Sequence, residues 1–255
     1  MHDPAAILGR ATLAYLLAVA GGVASIVLGV SHRRLCALIS LAAGTLTGVT
    51  AFAILPETVE TLRWWELLLA LGSGYLLFSL ISRYLFHVCP ACAASHFDEA
   101  TTHRFSEIAT ALIVALAIHS TMDGVAVAAG REAHETSGQL DLSLLLAVCV
   151  HKVPEGLALG ALLLGAGWRR RSTLGAVAAV EATTLLGAGL GLVCLPNVPP
   201  FWIDLILAHV GGGFVFLALH AVLGELVKHD RRSVLGWFFA GVGLIAALNL
   251  MLERW

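Results

Sequence analysis

Residues 142–166 read LSLLLAVCVHKVPEGLALGALLLGA, an apolar run whose polar interruptions are concentrated in His151-Lys152-Val153-Pro154-Glu155-Gly156. A helix needs about 20 predominantly apolar residues to cross roughly 30 Å of hydrocarbon, so the run reads as a membrane span with chemistry at its centre. His151 and Glu155 are four residues apart and share one helix face. The preceding apolar run, about residues 106–130, repeats the plan with His119, Asp123 and Gly124. Two such helices side by side present two imidazoles and two carboxylates, a donor set that suits a buried metal ion.

Composition carries the membrane reading to the whole chain. Apolar residues make up 58% of the 255 and charged residues 13%, with a mean hydropathy of +0.88, far from the balance of soluble domains. Eight runs are long enough to span, at about residues 11–30, 35–55, 64–86, 106–130, 142–166, 172–195, 201–224 and 234–252. The expected fold is an all-α integral membrane protein, one transmembrane domain over residues 1–255 with the lipid bilayer as its surroundings. With both termini outside, the inner loops hold ten basic residues (Arg33, Arg34, Arg83, Arg104, Arg169, Arg170, Arg171, Lys228, Arg231, Arg232) and the outer side four (Arg10, Arg63, Arg131, Arg254). That bias matches the preference of basic loops for the cytoplasmic side. The length of the first run and the Arg33-Arg34 pair after it favour a retained helix over a cleaved signal peptide. Short loops point to a multi-pass plasma membrane protein, of the prokaryotic inner-membrane kind, and the net charge of −2 offers nucleic acid no basic surface.

One inner loop, residues 87–105, is dense in ligand types. His87, Cys89, Cys92 and His96 could fill a tetrahedral zinc shell with two thiolates and two imidazoles. The competing reading is a polar connector with incidental thiols. Cys36, Cys149 and Cys194 lie within or at the ends of spans and read as small packing residues. Pro196-Asn197-Val198-Pro199-Pro200 reads as a rigid outer turn.

His119, Asp123, His151 and Glu155 all fall near the bilayer midplane. A charge there costs roughly 2.5 to 3.5 kcal/mol on insertion scales, and its repetition calls for a compensating cation. Pro154 lacks an amide hydrogen, which frees the carbonyl of Val150 and predicts a kink at the site. Gly124 and Gly156 remove bulk, either for close helix packing or beside a ligand, and Gly156 with Gly160 makes a small-xxx-small pair. Ser120 and Lys152 each follow a histidine, about 100° round the helix, and border a second pocket beside the first.

These features together resemble the ZIP (Zrt/Irt-like) metal transporters. The likeness lies in the double motif at 119–124 and 151–156, Leu55-Pro56-Glu57 ending the second span, Gly211-Gly212-Gly213-Phe214 in the seventh and the His-rich inner loop. The resemblance implies uptake of zinc, in some relatives iron, manganese or cadmium, into the cytoplasm through a midplane site between the fourth and fifth helices. It places the principal ligands on His119, Asp123, His151 and Glu155. Many relatives carry Asn after the first His, Asn or Asp after the second, and a Glu in the sixth helix, holding a second metal; here those places are Ser120, Lys152 and Glu181. A Lys152 ammonium standing where a second cation would sit, against Glu155 and Glu181, predicts one metal rather than two. The alternative is a Lys152 that snorkels or faces a wet channel, with no effect on stoichiometry. Ala53 replaces a His that some relatives carry before Leu-Pro-Glu.

Residues 53–57 align weakly with 221–225, the echo expected of an inverted repeat. His220 then reads as a transit ligand or, more simply, a structural His; His209, Glu57 and Glu225 read as solvated span ends. Imidazole donors favour borderline transition metals over magnesium or calcium, zinc first. Alternating access would move one helix group against another, with protons competing for the ligands on release and the inner His/Cys cluster receiving the metal. The rival from another class is an intramembrane zinc hydrolase of ceramidase-like amidase type, which also buries His and Asp in a bundle. A third reading is a metal sensor without flux. A homodimer is an open arrangement under each.

Overall fold

The computed structural model describes residues 4–28, 32–85, 102–133, 138–228 and 231–252, and every described element is helical. In chain order these are α1 (Pro4–Leu28), α2 (His32–Val49), a π turn (Thr50–Ile54), α3 (Leu55–Thr61), α4 (Trp64–Leu80) and a second π turn (Ile81–Leu85). They continue as α5 (Thr102–Ala133), α6 (Gly138–Gly165), α7 (Arg170–Glu181), α8 (Thr183–Cys194), α9 (Pro200–Lys228) and α10 (Arg231–Leu252). Among the described residues seven segments, including α7 with α8 as one and not including α5, are long and apolar enough to cross a membrane. α5, at 32 residues, is about 48 Å long by helical rise. Large apolar side chains such as Leu69, Leu76, Val193 and Phe239 face outward, where lipid rather than water is their natural solvent.

Two expected spans differ in detail. The second does not end at Leu55-Pro56-Glu57 but continues to Thr61. Pro56 cannot bond the carbonyl of Phe52, and the chain widens instead, with the Leu55 amide bonding Thr50 O, five residues back. The sixth span is divided at Ala182, whose carbonyl accepts from Leu185 three residues on. There the Thr183 hydroxyl lies 2.7 Å from Val180 O and 2.9 Å from Ala117 O of α5. This break ends α7 at Glu181, beside α5. α6 runs unbroken through Pro154.

Glycine decides which helices pair. In lipid the association of helices rests on close packing, which small residues permit. A Cβ on Gly156 would fall on Ala18 O and one on Gly21 on Val153 O, so α1 and α6 clasp each other reciprocally. Gly124 and Gly187 do the same for α5 and α8, Gly44 and Gly241 for α2 and α10, and Gly74 and Gly212 for α4 and α9. The described glycines press only within two groups of helices: one half is α1, α5, α6, α7 and α8, the other α2, α3, α4, α9 and α10. Between the halves lies a largely apolar seam in which Ala43, Leu46 and Val49 of α2 join Leu144 and Ala147 of α6, bridged by a buried hydrogen bond from Ser143 Oγ of α6 to Asn249 Oδ1 of α10 at 2.6 Å. Every midplane residue singled out in the sequence sits in the first half.

Candidate metal centre

α5 and α6 are consecutive helices, and His119 and His151 stand at nearly equal distance, about 20 Å by helical rise, from the ends that face each other across residues 134–137. The shared depth brings both motifs together. One ligand atom from each of His119, Asp123, His151 and Glu155 lies within 4.8 Å of the others, and all four side chains are buried. Asp123 Oδ2 is the hub, 3.1 Å from His151 Nε2 and 3.6 Å from His119 Nε2. Glu155 Oε1 is 4.0 Å from His119 Nε2. Donors around a tetrahedral zinc stand about 3.3 Å apart, given bonds of 2.0 to 2.1 Å, so a contraction of about 1.5 Å at the widest edge, 4.8 Å, would close the shell.

His151 is oriented from behind. Its Nδ1 lies 2.8 Å from Ala147 O; a carbonyl only accepts, so Nδ1 carries the proton and Nε2 is the nitrogen turned to the centre. The carbonyl four residues earlier is within reach of a helical histidine in one rotamer, which His151 adopts and His119 does not. His119 Nδ1, Asp123 Oδ1 and Glu155 Oε1 are buried and find no hydrogen-bond partner among the described residues. Orphaned donors and acceptors of this kind are rare in finished interiors.

Lys152 is fully buried, which rules out snorkelling. Its Nζ donates to Ser120 Oγ at 2.6 Å, Glu155 Oε2 at 2.8 Å and Glu181 Oε2 at 3.0 Å, and lies 2.9 Å from Asp123 Oδ2. Ser120 Oγ in turn reaches Glu181 Oε2 at 3.1 Å. The expected pairing with Glu155 and Glu181 is present. The contact with Asp123 was not expected, because helix spacing places Lys152 beside the α6 face and says nothing of its reach to α5.

Other residues take lesser roles. The glycines after the carboxylates are packing residues: a Cβ on Gly124 would strike Thr184 O, and one on Gly156 Ala18 O. Gly160 likewise lies against Ser25 of α1. His220 stacks on Phe216 of its own helix, with centroids 5.3 Å apart, and His209 is hydrogen-bonded to Ser73 of α4 at 2.8 Å, so His209 is not simply a solvated span end. Cys36 is buried as expected of a packing residue, whereas Cys194, at the end of α8, is exposed. His87, Cys89, Cys92 and His96 lie outside the described residues, as does the side chain of Glu225.

A family model for ZIP zinc transporters matches residues 89–249, a stretch containing both motifs. The chain belongs to the ZIP family. Membership makes it a multi-pass membrane transporter rather than an enzyme, which sets aside the ceramidase-like reading. Divalent metal ions are the substrate class of the family, and the ZIP chain described here buries a His/Asp/Glu cluster able to hold one. No curated protein matched the chain.

Proposed function

We propose that this ZIP protein carries zinc into the cytoplasm through the site formed by His119, Asp123, His151 and Glu155. The observation that carries the reading is the convergence of their four donor atoms within 4.8 Å, buried at the centre of the helix bundle. Two nitrogens and two oxygens suit zinc over magnesium or calcium; iron, manganese and cadmium are the competitors to test. The reading includes eight spans with both termini outside, in a prokaryotic inner membrane, where the ten basic residues of the inner loops face the cytoplasm.

The glycine clasps support an inverted repeat. Counting α2 with α3 and α7 with α8 as single spans, the clasped pairs are first with fifth, fourth with sixth, second with eighth and third with seventh. Mapping the first three spans onto the last three, and the fourth onto the fifth, exchanges these pairs among themselves. The aligned stretches 53–57 and 221–225 then fall on equivalent spans. Relative motion of two clasped halves across a largely apolar seam would open the midplane site to either side in turn.

The decisive assay uses sealed proteoliposomes enclosing a zinc-sensitive dye. Zinc entry is expected for wild type and not for the double variant His151→Ala, Glu155→Ala. Zinc that is bound by the purified protein but never enters the vesicles would support a sensor instead.

Lys152 further sets the stoichiometry in this reading. Asp123, Glu155 and Glu181 against one ammonium leave two negative charges, which one divalent ion neutralises. Equilibrium dialysis should give one zinc per wild-type chain and a second, weaker one in Lys152→Ala. Two zinc ions at full occupancy in wild type contradict the assignment.

A further inference from the structure

Four buried rings are in successive contact at the metal centre. Phe78, His119, His151 and Phe214 have successive centroid separations of 6.1, 5.5 and 6.3 Å. The imidazoles belong to α5 and α6 of the site-bearing half; the phenyls come from α4 and α9 of the other half. Both phenyls are buried, at 4% and 2% exposure. Phe78 also packs closely against Gly213, where a Cβ would come within 2.7 Å of its ring.

The two histidines are held by different means. His151 is tied to its own helix through Nδ1 and Ala147 O. His119 has no such tether: its Nδ1 is buried and finds no hydrogen-bond partner among the described residues. Torsion about the bond to an imidazole ring is broad and weakly constrained. Phe78 packs against the His119 ring from outside the site-bearing half, with the two ring planes at 83°.

We propose that Phe78 is a positioning residue for His119 and makes metal affinity depend on how the two halves sit against each other. The inference rests on the metal-transport reading above. While Phe78 abuts the ring, Nε2 stays aimed at Asp123 and four ligands are available. When the halves shift, the ring loses its support and the ion is left with one ligand fewer held in place. A carrier needs such a difference, because an ion can bias a conformational equilibrium, and be released by it, only if it binds the two states unequally. Phe214 abuts a ring that is already tethered, so it contributes packing without this coupling.

Cobalt(II) titration of the purified full-length protein, followed by its visible d–d absorption, tests the asymmetry. Phe78→Ala is expected to weaken cobalt binding about tenfold, in the range measured when groups orienting a ligand are removed, while Phe214→Ala changes it less than about threefold. Equal weakening by the two variants, or no weakening by Phe78→Ala, overturns the proposal. If either alanine variant fails to fold, Phe78→Leu against Phe214→Leu decides by the same comparison. Absence of cobalt binding in wild type would instead reject the metal-site reading on which the inference stands.

Discussion

Asp123→Ala is expected to eliminate zinc uptake and to weaken zinc binding at least about 100-fold, equivalent to about 2.7 kcal/mol. No other carboxylate in the centre is shared so widely: one oxygen of Asp123 faces His119, His151 and Lys152 together. Its removal takes away a ligand and leaves both imidazoles without the anion between them. Truncating one partner of a buried charged pair costs about 2 to 5 kcal/mol in well-studied cases, which brackets the expected loss. Lys152 keeps Glu155 and Glu181, so the variant should still fold. Zinc titration beside a thermal melt separates the two effects: lost binding with an unchanged melting temperature is the expected pair. Zinc affinity in Asp123→Ala unchanged from wild type would move the site elsewhere.

Gly156→Val is expected to prevent assembly of the bundle, not merely transport. The new side chain would enter the carbonyl of Ala18, and α1 cannot retreat without also breaking the reciprocal contact of Gly21 with Val153 O. Overpacking an ordinary core costs typically 1 to 3 kcal/mol; here backbone meets backbone and no side chain can rotate away. Loss of the monodisperse peak in size-exclusion chromatography checks this. Gly175→Ala is the control, because nothing lies within 4 Å of a Cβ there and alanine is the better helix former. It should leave yield and elution unchanged. If Gly156→Val also elutes as wild type, the clasp is not what holds α1 to α6.

Much of this was open to reading in the linear chain because it depends on local rules. Apolar runs of the length that hydrocarbon demands located the helices, with ends up to seven residues from those observed, as at Pro4 and Thr61, and four-residue spacing put His119 with Asp123 and His151 with Glu155 on common faces. The errors were equally local. Pro56 suggested the end of a helix, yet a π turn absorbed it; the break after Glu181 had no glycine or proline to announce it. Lys152 was legible as a buried cation near Glu155, three residues along its own helix, but its contact with Asp123 depends on where α5 lies.

The residues therefore established by themselves that the chain is a helical membrane protein with two His-carboxylate faces, since span length and helical periodicity are properties of a single segment. Tertiary structure alone decided which helices clasp, that Asp123 rather than Glu155 is the hub, and that His119 leans on Phe78 of the opposite half. Those outcomes depend on backbones meeting within van der Waals distance across segments far apart in the chain, and no periodicity within one helix encodes what stands on the other side.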